Sequence, residues 1–165
     1  MSTQLEKVLK KQQQQQRTPD EGEIEKEIQL VGFMVGDEEF AVPILSIQEI
    51  IKPIEYTRVP KTPAYVLGVF NLRGSVLPLI DLRMKFGLSR SQGNDETRYM
   101  VIKNNDEIAG FVIDRLTQAI RIKESQIDPA PETLHDDQNL IYGIGKKEDT
   151  LVSIINVDAL LKRDF

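Results

Sequence analysis

The 165-residue chain carries 21 Lys and Arg against 26 Asp and Glu, a net charge of −5 with its single histidine neutral, and it contains neither cysteine nor tryptophan. Without a thiol there is no disulfide frame, no cysteine-ligated zinc or iron–sulfur site and no cysteine nucleophile, and one histidine cannot furnish a His-rich metal site. The longest apolar runs, Ala64–Leu67 and Tyr99–Ile102, are four residues long; a membrane helix needs roughly 20, so about one globular domain with no membrane insertion is expected.

The first 27 residues hold five apolar side chains (Met1, Leu5, Val8, Leu9, Ile24), five consecutive glutamines from Gln12 to Gln16 and eleven charges. So little apolar area cannot offset the entropy of ordering, so residues 1–27 are expected to be a disordered, polar, Gln-rich tail ahead of a globular body over 28–165. Leu, Lys, Gln and Glu between residues 5 and 16 favour a transient helix, but Leu5, Val8 and Leu9 give it only a thin apolar stripe. No stretch here could serve as a signal peptide, and the lack of cysteine fits a reducing compartment, which points to the cytoplasm.

From Ile28 onward isoleucine and valine dominate the apolar set, a strand-rich composition because branching at Cβ suits a pleated surface. Leu30–Val35 reads as a strand closed by a turn at Gly36-Asp37-Glu38-Glu39, and Phe40-Ala41-Val42 begins its partner. Between Pro43 and Pro53 the pattern favours a short turn followed by a strand. Thr62, Pro63 and Gly68 have the order of a cap, a first helical residue and a stop, which predicts one helical turn. Strands are expected at Val69–Leu72 and Val76–Ile80, then a short helix Leu82–Phe86 capped by Asp81 and stopped by Gly87. Arg98–Lys103 and Glu107–Ile113 form a hairpin around Asn104-Asn105-Asp106. Ala119–Ile122 is a further strand, and the proline-containing segment Asp128–Pro131 reads as a loop. Leu140–Ile144 and Leu151–Ile155 flank a turn at Gly145–Asp149, and a final helix starts at Asn156 or Asp158 and runs through Leu161. Nine or ten short strands with scraps of helix describe small barrels or a sandwich, not a parallel sheet with crossover helices.

Few residues suggest chemistry. His135, in Glu132-Thr133-Leu134-His135-Asp136-Asp137, is the one imidazole available to a catalytic triad, and a polar loop is its simplest reading. Gly143-Ile144-Gly145-Lys146-Lys147 fails the phosphate-loop pattern, because Leu140 and Lys147 stand where glycine and a hydroxyl residue belong; these glycines suit a hairpin. Asp37-Glu38-Glu39 and Asp136-Asp137 lack EF-hand spacing. Arg73, Arg83, Lys85, Arg90 and Arg98 offer a basic set that a small barrel could use on nucleic acid, although the body from Ile28 onward carries 16 basic and 20 acidic residues.

The most unusual stretch is Gly68-Val69-Phe70-Asn71-Leu72-Arg73-Gly74-Ser75-Val76-Leu77-Pro78-Leu79-Ile80-Asp81-Leu82-Arg83, where polar groups and glycines interrupt strand residues. Alternation places Asn71 and Arg73 on one strand face, opposite Phe70 and Leu72. Arg73 then either pairs internally, with Asp81 or Glu49, or presents its donors to a partner.

At these residues the sequence resembles the CheW-like family of chemotaxis coupling proteins. The resemblance runs from about Gln29 to Lys162 and rests on ordered blocks: Gly36-Asp37-Glu38-Glu39-Phe40-Ala41-Val42-Pro43-Ile44, Ile47-Gln48-Glu49-Ile50, Val59-Pro60, Thr62-Pro63-Ala64-Tyr65-Val66, Gly68–Gly74 and Pro78–Arg83. It implies a mostly β fold of two small five-stranded SH3-like barrels sharing a hydrophobic core, with short helices and a C-terminal helix. It also implies a non-enzymatic adaptor, without cofactor, metal or nucleic acid, that links the cytoplasmic tip of transmembrane chemoreceptors to the regulatory domain of the histidine kinase CheA within membrane-bound receptor arrays. By matching position, Ile44 and Glu49 are implied kinase contacts, and Ile47 borders the receptor groove. Gly68, Asn71, Arg73 and Gly74 match the groove-lining motif, and Thr97, Arg98 and Tyr99 the receptor-facing strand of the second barrel. Arg98 departs from the family, where an apolar residue is usual. A small-barrel nucleic-acid binder is the alternative.

Overall fold

The computed structural model describes residues 26–90, 92–130, 139–147 and 149–162, and within them the apolar alternation resolves into eleven short strands in two sheets. The first sheet runs, in spatial order, β8 (Arg115–Lys123), β1 (Glu27–Val35), β2 (Glu38–Pro43), β11 (Thr150–Ile155), β10 (Ile141–Lys147) and β9 (Ile127–Pro129). The second runs β3 (Ile47–Ile51), β6 (Arg98–Asn104), β7 (Glu107–Ile113), β5 (Ser75–Asp81) and β4 (Val66–Leu72). Four pairings are antiparallel hairpins, β1–β2, β4–β5, β6–β7 and β10–β11, while antiparallel β3 on β6 and parallel β11 on β2 and β5 on β7 bring distant segments together. Two sheets of this kind agree with the expected pair of SH3-like barrels, the first sheet carrying β9 as a sixth strand. Ile28–Ile122 and the described residues from Gln126 onward belong to one compact unit. The expected tail, and the loop around His135, lie outside the described residues.

Three apolar clusters organise the unit. Leu30, Ala41, Ile120, Ile122, Val152 and Ile154 fill the first sheet's own interior, and Leu67, Phe70, Leu77, Leu79, Tyr99 and Val101 that of the second. A third cluster is shared: Phe33, Val35, Phe40 and Val42 of the first sheet meet Ile80, Met100, Ile102, Phe111 and Ile113 of the second. Along β6 the assignment alternates, Tyr99 and Val101 to one side, Met100 and Ile102 to the other, as the two-residue period of a strand requires. Two short helices close the shared core. Helix α1 (Leu82–Lys85) starts at Asp81, whose carboxylate accepts the Arg83 N–H at 2.9 Å, and ends where Leu88 N–H reaches the Arg83 carbonyl and Gly87 N–H that of Met84, a Schellman closure with Gly87 at φ +85°. Helix α2 (Val157–Leu161) starts at Asn156 and buries Val157, Leu160 and Leu161.

Two expectations are corrected. No helical turn forms over Thr62–Gly68: Pro63 only accepts the Val66 N–H, and Val66 goes straight into the ladder opposite Ile80. A lone turn carries the full nucleation cost, whereas strand pairing buries Val66 and Leu67. Gly68 is therefore not a helix stop. It sits inside β4 at φ +155°, with Thr57 N–H and carbonyl bonded to Val69 at 2.8 Å across it. The loop expected at Asp128–Pro131 includes part of strand β9, whose Pro129 is tolerated because β9 is an edge.

A Cβ at position 68 would lie 2.1 Å from the Thr57 carbonyl oxygen, whereas one at Gly74 would meet no atom within 4 Å. Gly68→Ala is therefore expected to lower unfolding free energy by about 3 kcal/mol or more through clash and strain, and Gly74→Ala by about 1–2 kcal/mol through positive φ alone. Urea denaturation of both variants checks the contrast. Burial pushes the Asp81 carboxyl above its ordinary value, against the backbone hydrogen bonds it accepts. A raised carboxyl binds its proton more tightly folded than unfolded, so ionisation costs stability as pH rises from the ordinary carboxylate value through the folded one. Asp81→Asn, which keeps the cap, should equal or exceed wild-type stability at pH 7 and lose that advantage near pH 3, as read by thermal unfolding across pH.

Candidate protein-interaction site

The hairpin between β4 and β5 carries the candidate site. Leu72 pairs with Ser75, which leaves Arg73 and Gly74 as a two-residue loop with both φ values positive, +53° and +90°. That is the pattern of a type I′ turn, whose twist matches the flanking strands and whose first position favours Asn, Asp or Gly. Arg73 therefore does not share a strand face with Asn71; it projects from the turn. Asn71 acts on the backbone, its Oδ1 accepting the Gly74 N–H at 2.9 Å.

Across the sheet, the β3 strand presents Glu49, and the Arg73 guanidinium forms a two-pronged pair with it, Nη1 to Oε1 and Nη2 to Oε2, the latter at 2.9 Å. Of the two internal partners considered for Arg73, the structure selects Glu49. Arg73's side chain is 73% exposed and Glu49's 20% exposed, so water screens the pair and its contribution to folding is small. The hydrogen bonds from Arg73 nevertheless hold the Glu49 carboxyl below its ordinary range, so both groups stay charged at neutral pH. Exposed Val76 flanks the turn, and Gln48 and Lys103 line the same shallow depression as Arg73.

The other candidates lie elsewhere. Ile44 stands on a one-turn 3-10 segment, Ile44–Ser46, 42% exposed, beside Leu45 at 96%. Leu45 is the apolar surface residue that alternation could not reveal, because the turn departs from both strand and helix periods. Ile47 is half-buried against the shared core and pairs with Ile102, so it lies at the opposite end of β3 from Tyr99, which Ile51 opposes. Thr97 and Tyr99 are buried, Tyr99 within the second sheet's interior. Arg98 points to the other side of β6, and its guanidinium donates to the Asp95 and Thr97 carbonyls. The structure thus brings Glu49, Asn71, Arg73 and Gly74 together, places Arg98 and Ile47 along the shared-core side, and makes Gly68 a packing residue.

The basic set is engaged within the chain. Arg83 pairs with Asp114 at 2.6 Å, Lys85 lies 4.1 Å over the Tyr65 ring, and Arg90 donates to the Tyr56 hydroxyl at 2.8 Å. Gly143 and Gly145 lie in the β10–β11 hairpin, packed against Asp128 and Ile122, with no phosphate-loop geometry.

An arginine at the first position of a type I′ turn holds left-handed backbone that asparagine tolerates better. Arg73→Asn should therefore leave the melting temperature equal to or above wild type, despite loss of the exposed pair. Thermal unfolding checks this; a clear drop would mean that the ion pair holds the hairpin.

Comparison with known proteins matches residues 29–165 to the CheW-like domain. The chain is 58% identical over 165 residues to the chemotaxis protein CheW of Helicobacter pylori, covering 100% of both chains. It is 37% identical over 136 residues to that of Bacillus subtilis, covering 82% of this chain and 87% of the relative. A crystal structure of the scaffolding protein TtCheW from Thermoanaerobacter tengcongensis superposes with a TM-score of 0.75 at 29% identity, over 79% of this chain and 90% of that one. With its two sheets, shared core and exposed hairpin arginine in the matched segment, the chain belongs to the CheW-like domain family.

Proposed function

We propose that the chain is a non-enzymatic adaptor that couples the cytoplasmic tips of transmembrane chemoreceptors to the histidine kinase CheA in chemotaxis signalling, working in the cytoplasm against receptor arrays. The observation that carries this reading is Arg73, held out on a strained turn as a charged, solvent-facing fork paired only with a surface carboxylate. Such a group adds little to folding and is suited to exchanging its partner across an interface. Family membership supports the reading, as do relatives named as chemotaxis proteins and a structural neighbour described as a scaffold. Among the described residues no helix is long and apolar enough to cross a membrane.

Two sets of contacts, meeting at the Arg73–Glu49 pair, divide the work. Ile44 and Glu49 form the kinase face, where exposed Leu45 adds apolar area. The receptor face uses Ile47, Arg73 and Arg98 as contacts. Gly68, Asn71 and Gly74 shape the strand and turn that present Arg73, and buried Thr97 and Tyr99 support the start of β6 beneath Arg98. Neither face needs a perturbed acid or base, because an adaptor changes proximity and not bonds. Modest contacts suffice when many copies are held together, since linked sites bind at a high effective concentration.

Calorimetric titration of the full chain against the regulatory domain of CheA from the same organism, and against a receptor cytoplasmic fragment, tests both faces. Glu49→Arg should weaken kinase binding about tenfold or more with an unchanged circular dichroism spectrum. Wild-type protein that binds neither partner at about 100 μM would overturn the adaptor reading.

A further inference from the structure

On the side of β6 away from Arg98 lies a cavity of about 310 Å³, to which none of the proposed contact residues Ile44, Ile47, Glu49, Arg73 and Arg98 belongs. Its walls include Leu67 and Tyr99 of the second sheet's interior, with Tyr56 and Val112 packed on the same cluster. This size is at the lower end of small-molecule sites, and the wall is mixed, with the apolar surface of Tyr56, Leu67, Tyr99 and Val112 facing polar and charged groups. The Tyr99 hydroxyl is satisfied by the Ile54 carbonyl at 3.2 Å.

Two carboxylates stand in the wall, Asp114 in an ion pair and Asp81 hydrogen-bonded to backbone. Asp114 Oδ2 accepts from Arg83 Nη1 at 2.6 Å and from the Gly36 N–H at 2.8 Å. Asp81, 3% exposed, accepts the Arg83 N–H. Arg83 also donates its Nε to the Ser89 carbonyl, so its guanidinium is committed. Arg90 differs: its Nη2 donates to the neutral Tyr56 hydroxyl at 2.8 Å, and among the described residues no carboxylate pairs with it. Arg90 thus has a guanidinium with no ion-pair partner among the described residues, beside the Tyr56 ring, and its charge acts only through space on Asp81 in the same wall. A guanidinium offers five N–H donors in a planar fork that fits a carboxylate. A phosphate dianion would ask for a second free cation, and the wall's other guanidinium is taken by Asp114.

We propose that this cavity binds a small monocarboxylate with a flat apolar body, its carboxylate on Arg90 and its body against Tyr56, Leu67 and Tyr99. The inference goes beyond the adaptor reading and does not depend on it. The same chemistry is offered by a free aromatic acid and by the carboxyl terminus of a peptide ending in an aromatic residue.

The test is a titration of the 15N-labelled full chain, followed by amide correlation spectra, with phenylacetate up to about 10 mM. Amides around Gln92, Asn94 and Tyr99 should shift and saturate. Arg90→Gln, an exposed position whose spectrum itself reports folding, should weaken binding about tenfold, and neutral phenylacetamide should produce no shift. A second arm uses acetyl-Gly-Gly-Phe with a free carboxyl terminus: tighter binding than phenylacetate assigns the peptide source, weaker binding the free acid. Absence of saturable shifts overturns the proposal, as do shifts that persist unchanged in Arg90→Gln or with phenylacetamide.

Discussion

The shared apolar layer between the two sheets is the constraint on which the rest of the molecule depends. Phe33, Val35, Phe40 and Val42 on one side and Met100, Ile102, Phe111 and Ile113 on the other cover each other, so neither sheet can bury alone the face it turns to its neighbour. Each fully buried side chain of this kind contributes about 1.5–3 kcal/mol. Strands β2 and β6 also face a sheet interior on their other side, which makes them apolar on both faces. Aromatic rings reinforce the layer: Phe40 stacks on Phe33 and on Phe86 just after α1, the latter with ring centres 4.7 Å apart.

Polar ties pin the edges of this layer. Asp114, directly after β7, gives its N–H to the Met34 carbonyl and receives the Gly36 N–H and Arg83, so one residue joins the β1–β2 turn, β7 and α1. Asn104 and Asp158 hydrogen-bond between the β6–β7 hairpin and α2. With the interior and its borders held in this way, an exposed charge contributes little to folding. Arg73 is the extreme case, on a turn whose backbone it does not suit. Strain of this sort persists only where surrounding structure over-determines it, and the β4–β5 ladder with the Asn71 hydrogen bond supplies that support.

Hairpins with polar turns were legible residue by residue: β6 and β7 around Asn104-Asn105-Asp106, β1 and β2 around Gly36, and the caps at Asp81 and Asn156 all follow from local chemistry. The segment Thr62–Gly68 misled because cap, proline and glycine stand in helical order while Gly68 answers to a different need, the passage of the Thr57 backbone across β4. Pro129 likewise argued for a loop and sits in an edge strand. Of the candidate site, the type and order of residues were visible and their orientation was not. Thr97, Arg98 and Tyr99 are consecutive, yet alternation along β6 sends Tyr99 into an interior and Arg98 to the opposite side.

Composition and pattern alone determined that this chain is strand-rich, lacks thiol chemistry and carries an ordered set of family motifs, because each depends on residue identity or on neighbours a few positions away. The pairing of Glu49 with Arg73, the parallel joins of β2 to β11 and β5 to β7, and the cavity beside Arg90 depend on segments tens of residues apart. Such contacts are chosen by which faces bury the most apolar surface together, and no local signal in the sequence records that choice.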